Sequence, residues 1–109
     1  MKLTLTFVNL DSTPSIKAYV ETCFGSVARL IRHFEEGGDR ELHVELARAT
    51  RHHHKGLVYR ASARLALPGK RFEVIEQHSD IRPAITALRN RLREAVERFK
   101  DTAVSKRRR

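Results

Sequence analysis

The feature that most constrains this chain is the regular spacing of apolar residues between positions 79 and 100. Apolar side chains recur there at intervals of three or four residues: Ile81, Ile85, Leu88, Leu92, Val96 and Phe99. This is the period of one face of an α-helix. Ser79 or Asp80 can supply the N-cap oxygen, and Pro83 is tolerated because the first turn has no internal N–H bonds to lose. The stretch predicts an amphipathic helix whose apolar stripe faces a core.

The opposite face of the same stretch is basic. Most of its cations lie close to one line, and the rest flank that line: Arg82, Arg89, Arg93 and Lys100, with Arg91 and Arg98 beside them. Residues 81–109 hold ten Lys and Arg against three acids, so they carry +7 of the chain's net charge of +9. A face that only maintains solubility mixes both signs, whereas only Glu94 and Glu97 interrupt this one. The pattern favours contact with a nucleic acid.

The totals limit the class of protein. A chain of 109 residues with 40% apolar residues fits one globular domain. No apolar run approaches the roughly 20 residues that a membrane span needs. The amino terminus alternates like a strand and does not resemble a signal peptide. Cys23 is the single cysteine, which excludes an intrachain disulfide. We therefore expect a cytoplasmic protein.

The rest of the chain reads as strands and one further helix. Residues alternate between apolar and polar over 2–8, 41–46, 57–65 and 70–77. Thr13 and Pro14 mark the start of the first helix, whose apolar spacing includes Cys23 and runs to Phe34. A crossover through that helix makes the first two strands parallel. We therefore predict an α+β fold of order β-α-β-β-β-α, with a four-stranded mixed sheet and both helices packed on one face.

The strand pairing predicts the neighbours of the arginines on the outer sheet face. A hairpin centred on residues 50–55 predicts these facing pairs: Leu46 with Tyr59, Glu45 with Arg60, and Glu41 with Arg64. A turn at residues 68–69 predicts two more: Leu65 with Phe72, and Arg64 with Glu73. Carboxylates would then neutralise the sheet arginines. The free positive charge would remain on the second helix, the tail and the hairpin loop.

The loop His52-His53-His54 is the most tempting site for a metal ion, with His43 on the strand before it. Zinc needs three or four converging ligands, and Cys23 already belongs to a helix stripe. A polar loop or a phosphate-contacting loop is the better interpretation. No nucleophile motif, phosphate-binding loop or dinucleotide fingerprint occurs. We expect no catalytic residue, no metal site and no cofactor.

The order of several short segments resembles a known family. These are the opening strand followed by NLDSTPSIKAYVE, the HHHKG entry to the third strand, the LPGK turn, and SDIRPAI leading into RLREAVERFK. Together they resemble the hibernation-promoting factor and ribosome-associated inhibitor family, the short bacterial ribosome-binding translation inhibitors. The resemblance covers residues 1 to about 100. It implies binding in the small-subunit channel used by mRNA and tRNA, through rRNA backbone contacts made by both helices.

The resemblance also assigns positions. The second-helix pattern of the family falls on Asp80, Ile85, Arg91, Leu92, Arg98, Phe99 and Lys100, and its basic loop falls on His54 and Lys55. Thr22, Cys23 and Ser26 stand where the family usually has lysines. The resemblance and the basic face together predict this rRNA-binding set: Arg29, Arg32, His54, Lys55, Arg82, Arg89, Arg91, Arg93, Arg98 and Lys100.

The expected function is therefore non-enzymatic. We expect a ribosome-binding domain over residues 1–100, a basic disordered tail over residues 101–109, and inhibition of translation by occupation of the small-subunit channel. The alternative is a general structured-RNA-binding module of similar fold that recognises the shape of an A-form backbone. Either protein would have no membrane partner and no small-molecule substrate. We expect a monomer away from the ribosome.

Overall fold

The described part of the chain folds as a four-stranded sheet with two α-helices. The computed structural model describes residues 1–35, 40–49 and 58–107, with residues 33, 35 and 103–107 described in their backbone only. The elements are β1 (Lys2–Val8), α1 (Pro14–Leu30), β2 (Glu41–Arg48), β3 (Tyr59–Leu67), β4 (Lys70–His78) and α2 (Ile81–Arg107). This order confirms the predicted α+β fold, with both helices on one face of the sheet.

The sheet is mixed, in the order β1-β2-β3-β4. β1 and β2 are parallel, as a crossover through α1 requires, and the other neighbours are antiparallel. The helix-facing rows of the sheet are apolar: Leu3, Leu42, Leu65 and Phe72 in one, and Leu5, Val44, Ala63 and Val74 in the next. These rows form the floor of the core.

The predicted register between β2 and β3 is wrong by two residues. Leu46 lies opposite Ala61 rather than Tyr59, and Glu45 lies opposite Ser62 rather than Arg60. Beyond the Arg48–Tyr59 pair, the pairing continues toward the hairpin loop with a hydrogen bond of 2.7 Å from the Ala49 amide to the Val58 carbonyl. A shift of two residues leaves every side chain on its own face, so the apolar pattern does not distinguish the two registers. The predicted pairs across β3 and β4 are confirmed.

The start of α1 is confirmed and its end is not. The Ile16 amide donates to the Thr13 hydroxyl at 3.2 Å, which is the N-cap hydrogen bond expected there. The helix stops at Leu30, and a 3₁₀ turn over Arg32–Glu35 follows. Phe34 still packs against the core from that turn. Because Phe34 is apolar and packs on the core, the helical spacing of apolar residues extends past the residue at which the helix ends.

The stripe of α2 is buried as predicted. Ile85, Leu88, Leu92 and Val96 are fully buried, and Phe99 packs at the edge of the core. At its start, the Ala84 amide donates to the Asp80 carbonyl at 3.3 Å. The helix continues to Arg107, so residues 101–107 are helical and the expectation of a disordered tail from residue 101 is corrected. No glycine or proline, the strongest helix breakers, occurs in residues 101–107. The division at residue 100 into domain and tail stays a prediction.

The outer face of the sheet carries free arginines, contrary to the prediction. Arg60 lies opposite Ala47 and Gln77, because of the register shift. Arg64 lies opposite Glu73, but no ion pair joins them within the described residues. Glu41 instead accepts a hydrogen bond from Thr4 at 3.0 Å. The sheet arginines therefore keep their charge exposed to solvent.

Candidate nucleic-acid interface

The two helices lie side by side and run in the same direction. Polar contacts join them at successive turns: Arg82 to Ser15, Thr86 to Tyr19, and Arg89 to the carbonyl of Cys23. Each contact joins positions 66 or 67 residues apart, so the two helices advance together. The seam between α1 and α2 is therefore a polar line above the apolar core.

Two arginines of α2 are held in place at this seam. The Arg82 guanidinium donates to the Ser15 hydroxyl at 2.5 Å and lies over the Tyr19 ring, 5.0 Å from its centroid. The half-buried Arg89 donates from Nη1 to the Cys23 carbonyl at 3.5 Å and from Nε to the Asn90 side chain at 2.7 Å. These contacts leave other guanidinium N–H groups available to an anion. They also fix the side-chain positions.

Arg93 continues this line, which we call the seam row: Arg82, Arg89 and Arg93. The Arg93 side chain is 45% exposed and makes an ion pair of 3.6 Å with Glu97, one helical turn away. An exposed pair of this kind contributes only a few tenths of a kcal/mol, so a phosphate can replace the carboxylate at small cost. Lys100, half-buried, lies two turns further on.

The first helix and the turn after it add two exposed arginines. Arg29 lies in the last turn of α1, and Arg32 begins the 3₁₀ turn. Neither makes an ion pair or side-chain hydrogen bond within the described residues. Thr22 is exposed, Cys23 is buried, and Ser26 donates to the Cys23 carbonyl at 3.3 Å. The middle of α1 therefore offers hydroxyl groups and no positive charge.

Arg91 and Arg98 lie on the other flank of α2, next to β4. Arg91 Nη1 donates to the Ile75 carbonyl at 2.9 Å and contacts the Glu76 carboxylate at 3.3 Å. Arg98 is exposed beside the start of β4. Arg91 thus ties α2 to the sheet edge, and the predicted basic face divides into two rows that point in different directions.

An acidic crest separates these two rows. Residues at helical spacing opposite the buried stripe are all exposed and carry no positive charge: Asn90, Glu94, Glu97 and Asp101. In the sequence, two of these acids look like interruptions of one continuous basic face. In the fold they occupy its outermost line. The seam row is therefore the part of α2 that can act together with α1.

Some predicted residues lie elsewhere. His54 and Lys55, with the rest of the histidine loop, lie outside the described residues. In the described part of the chain, no group of three His, Cys, Asp or Glu side chains is placed to hold a metal ion. Neither described helix is long and apolar enough to cross a membrane.

The polar residues that organise the seam were not predicted from the sequence. Tyr19 was not assigned a role, although its hydroxyl forms a hydrogen bond of 2.5 Å with Thr86 and its ring lies beneath Arg82. Its position beside the apolar stripe of α1 is a signal, because a buried tyrosine ring needs a partner for its hydroxyl. Which partner it meets depends on how the helices pack.

Comparison with known proteins identifies the family. The model of the family described as Sigma 54 modulation protein / S30EA ribosomal protein matches residues 3–103. The chain belongs to this family. It is a family of ribosome-associated proteins linked to translation regulation and hibernation, so the resemblance inferred from the sequence is confirmed. No curated protein gives a significant match to the sequence.

Solved structures of similar fold include proteins from Thermus thermophilus and Coxiella burnetii. The Protein Y N-terminal domain from Thermus thermophilus is 32% identical over 91% of this chain and 99% of its own, with a TM-score of 0.69. A ribosomal subunit interface protein from Coxiella burnetii is 17% identical over 93% of this chain and 99% of its own, with a TM-score of 0.70. The second likeness concerns the fold alone.

Proposed function

We propose that this protein is a non-enzymatic inhibitor of translation that binds the small ribosomal subunit in the channel used by mRNA and tRNA. The observation that carries the proposal is the seam row, Arg82, Arg89 and Arg93, held beside α1 on the surface away from the sheet. Membership of a ribosome-associated family supports a ribosomal partner.

The seam row has the properties that a phosphate-binding surface needs. Arg82 and Arg89 are held by neutral partners, a hydroxyl and a backbone carbonyl, so their full positive charge is retained. Their fixed positions reduce the side-chain entropy that binding would otherwise cost. Planar guanidinium groups match phosphate oxygens in pairs, and Lys100 can add a point charge further along α2.

The surface supports recognition of an RNA backbone rather than of bases. The aromatic residue at the seam, Tyr19, has its ring under the Arg82 guanidinium and its hydroxyl bonded to Thr86. It is therefore not available as a stacking platform for an unpaired base. Phosphate contacts give affinity that depends strongly on salt and little on sequence. Folded rRNA would supply the matching arrangement of phosphates.

The remaining parts of the proposal follow from this mode of action. We propose that the protein acts in the cytoplasm, as a monomer when it is off the ribosome, without cofactor or small-molecule substrate. Occupation of a channel needs a rigid domain rather than a reaction centre. The single apolar core that joins both helices to the sheet provides that rigidity.

Co-sedimentation with ribosomal subunits tests the proposal. The purified protein should sediment with isolated small subunits at low salt and should not sediment with large subunits. It should also reduce protein synthesis in a purified translation system when added before mRNA. If it stays at the top of the gradient while a known small-subunit binder sediments, the proposal is wrong. Equal binding to an unrelated RNA duplex would instead favour a general module that reads A-form shape.

A pair of double variants separates a specific surface from general charge. Arg29→Ala with Arg93→Ala removes two exposed charges from the helix surface, and Arg60→Ala with Arg64→Ala removes two from the outer sheet face. The helix variant should weaken small-subunit binding and lower the slope of log K against log salt by about 0.7–0.9 per lost phosphate contact. The sheet variant is the matched control and should bind nearly normally. Equal losses in both would show that only net charge matters.

Leu92→Ala provides the opposite control, because it alters the core and not the charge. Leu92 is fully buried in the stripe of α2, so the cavity should lower the free energy of unfolding by about 2–5 kcal/mol. Thermal or urea unfolding measures this loss. The folded fraction should bind the small subunit with normal affinity and normal salt dependence. A large loss of affinity in that fraction would mean that binding depends on more than the seam surface.

A further inference from the structure

A groove runs along the free edge of the sheet, between β4 and α2. Its floor is apolar and its rim is basic; we call it the edge groove and define it by Lys70, Phe72, Val74, Ala95, Arg98 and Phe99. Phe99 is fixed by two other rings, with centroids 5.9 Å away at Phe34 and 5.8 Å away at Phe72. The apolar floor is therefore preformed in the absence of a ligand. It lies on the opposite flank of α2 from the seam row.

The backbone of β4 presents free hydrogen-bonding groups to this groove. Pro68 and Gly69, the latter with φ +80°, form a two-residue turn, so Leu67 and Lys70 are a hydrogen-bonded pair. Bonded pairs alternate along an antiparallel ladder, and β4 is an edge strand. The N–H and C=O groups of Arg71 and Glu73 therefore point away from β3.

An independent contact supports this assignment and limits its length. Arg91 donates to the Ile75 carbonyl at 2.9 Å, which requires that carbonyl to point out of the sheet. Ile75 has the same backbone orientation as Arg71 and Glu73, since residues two apart in a strand are equivalent. Arg91 covers the edge at Ile75, so the open stretch of β4 ends there.

The rim of the groove has unpaired positive charge. Arg71 and Arg98 make no ion pair or side-chain hydrogen bond within the described residues. The Lys70 ammonium contacts the Phe72 ring, 6.0 Å from its centroid. Glu73 is the acid among the lining residues, so three cations face one carboxylate. An acidic ligand matches this rim.

We propose that the edge groove binds an extended acidic segment of a partner protein, which adds to β4 as a fifth strand. The free N–H and C=O groups of Arg71 and Glu73 would pair with its backbone, as in β-strand addition. An apolar side chain would rest on Val74, Ala95 and Phe99, and flanking carboxylates would meet the rim. A helix cannot form these backbone bonds, and an RNA strand would match the cations but leave the edge groups unpaired.

A peptide titration of the ¹⁵N-labelled full chain tests the proposal. The probe is an acetylated and amidated heptapeptide that alternates glutamate and valine. The amides of Arg71 and Glu73 should shift and become protected from hydrogen exchange. The amides of Phe72 and Val74 should keep their protection, because they already donate to β3. A lysine–valine peptide and a backbone N-methylated glutamate–valine peptide are the controls, and neither should bind.

Variants distinguish the edge from the charge. Glu73→Pro removes one outward N–H without removing a bond to β3, so the fold should persist while peptide binding is lost. Arg98→Glu lies on the exposed helix flank and should weaken binding about tenfold or more, because it sets like charges together. Arg60→Glu makes the same charge change on the outer sheet face, opposite Gln77 and away from the edge groove, and should have little effect. If Glu73→Pro does not fold, peptide binding by Arg98→Glu still tests whether the acidic peptide occupies the edge groove.

Several results would overturn the proposal. Unchanged protection at Arg71 and Glu73, or normal peptide binding by Arg98→Glu, would exclude strand addition at this edge. Tighter binding of a single-stranded oligouridylate, with shifts at the same amides, would identify the groove as a nucleic-acid site. The variant Arg29→Ala with Arg93→Ala should still bind the peptide. This separates the peptide result from small-subunit binding, which the same variant should weaken.

Discussion

Residues of one chemical type have different roles in this protein according to what they touch. Arg82 and Arg89 donate to neutral groups of α1 and keep their charge available at the seam. Arg91 donates to a strand carbonyl and to Glu76, and it joins α2 to β4. From these contacts we expect Arg82 and Arg89 to bind an anion and Arg91 mainly to support the fold.

Arg91→Ala tests this distinction. Its loss should lower the free energy of unfolding by about 0.5–1 kcal/mol, since the contacts are charge-assisted but the side chain is 57% exposed. Arg93→Ala should change stability by less than about 0.5 kcal/mol. Urea unfolding of both variants measures the difference. Affinity for the small subunit should fall more in Arg93→Ala than in Arg91→Ala. A variant Arg91→Ala that melts normally but binds as weakly as Arg93→Ala would place Arg91 in the binding surface.

At the scale of elements, the two helices act as one unit because polar contacts join them above a shared core. The hydrogen bond between Tyr19 and Thr86 lies in the middle of the seam, with arginine contacts on either side. These contacts set the spacing between α1 and α2. The spacing in turn decides where the seam row lies relative to α1.

A double-mutant cycle on Tyr19→Phe and Thr86→Val measures this coupling. Each single variant should lower the free energy of unfolding by about 1 kcal/mol, because it leaves a partly buried hydroxyl without its partner. The double variant should recover about 0.5–1.5 kcal/mol relative to the sum, since both polar partners are then absent. Equilibrium urea unfolding supplies the four free energies. Additive effects would show that the hydroxyls do not couple the helices.

At the scale of the whole molecule, an apolar core joins both helices and all four strands of the described chain. Among the described residues no group of three potential ligands can hold a metal ion. The histidine loop at residues 52–54 lies outside the described residues. The expectation that no metal supports the fold therefore stays a prediction.

A chelator experiment tests it. Treatment with excess EDTA should leave the melting temperature of the full chain unchanged, because the core forms without a ligand. Added zinc should have the same effect on the variant His52→Ala with His54→Ala as on the unchanged chain. A fall of several degrees on chelation would mean that metal binding contributes to folding.

Much of the fold could be predicted from periodicity alone, whereas the assignment of the basic residues to an rRNA-binding site stays a prediction. The stripe of α2, the Thr13 N-cap and the β3–β4 hairpin each depend on residues close together in the sequence, and each is confirmed. The family resemblance is confirmed as well. Local patterns determine these features because side-chain direction repeats every two residues in a strand and every 3.6 in a helix.

Tertiary structure decided the rest. The β2–β3 register differs by two residues from the prediction, and both registers place the same side chains on the same faces. The helical spacing assigns the arginines of α2 to one polar face. In the fold, Arg89 contacts α1 while Arg91 contacts β4. A helix pattern defines which face is buried, but not which neighbour stands on each flank. That depends on where the chain places α1 and the sheet edge, and only the folded molecule brings those together.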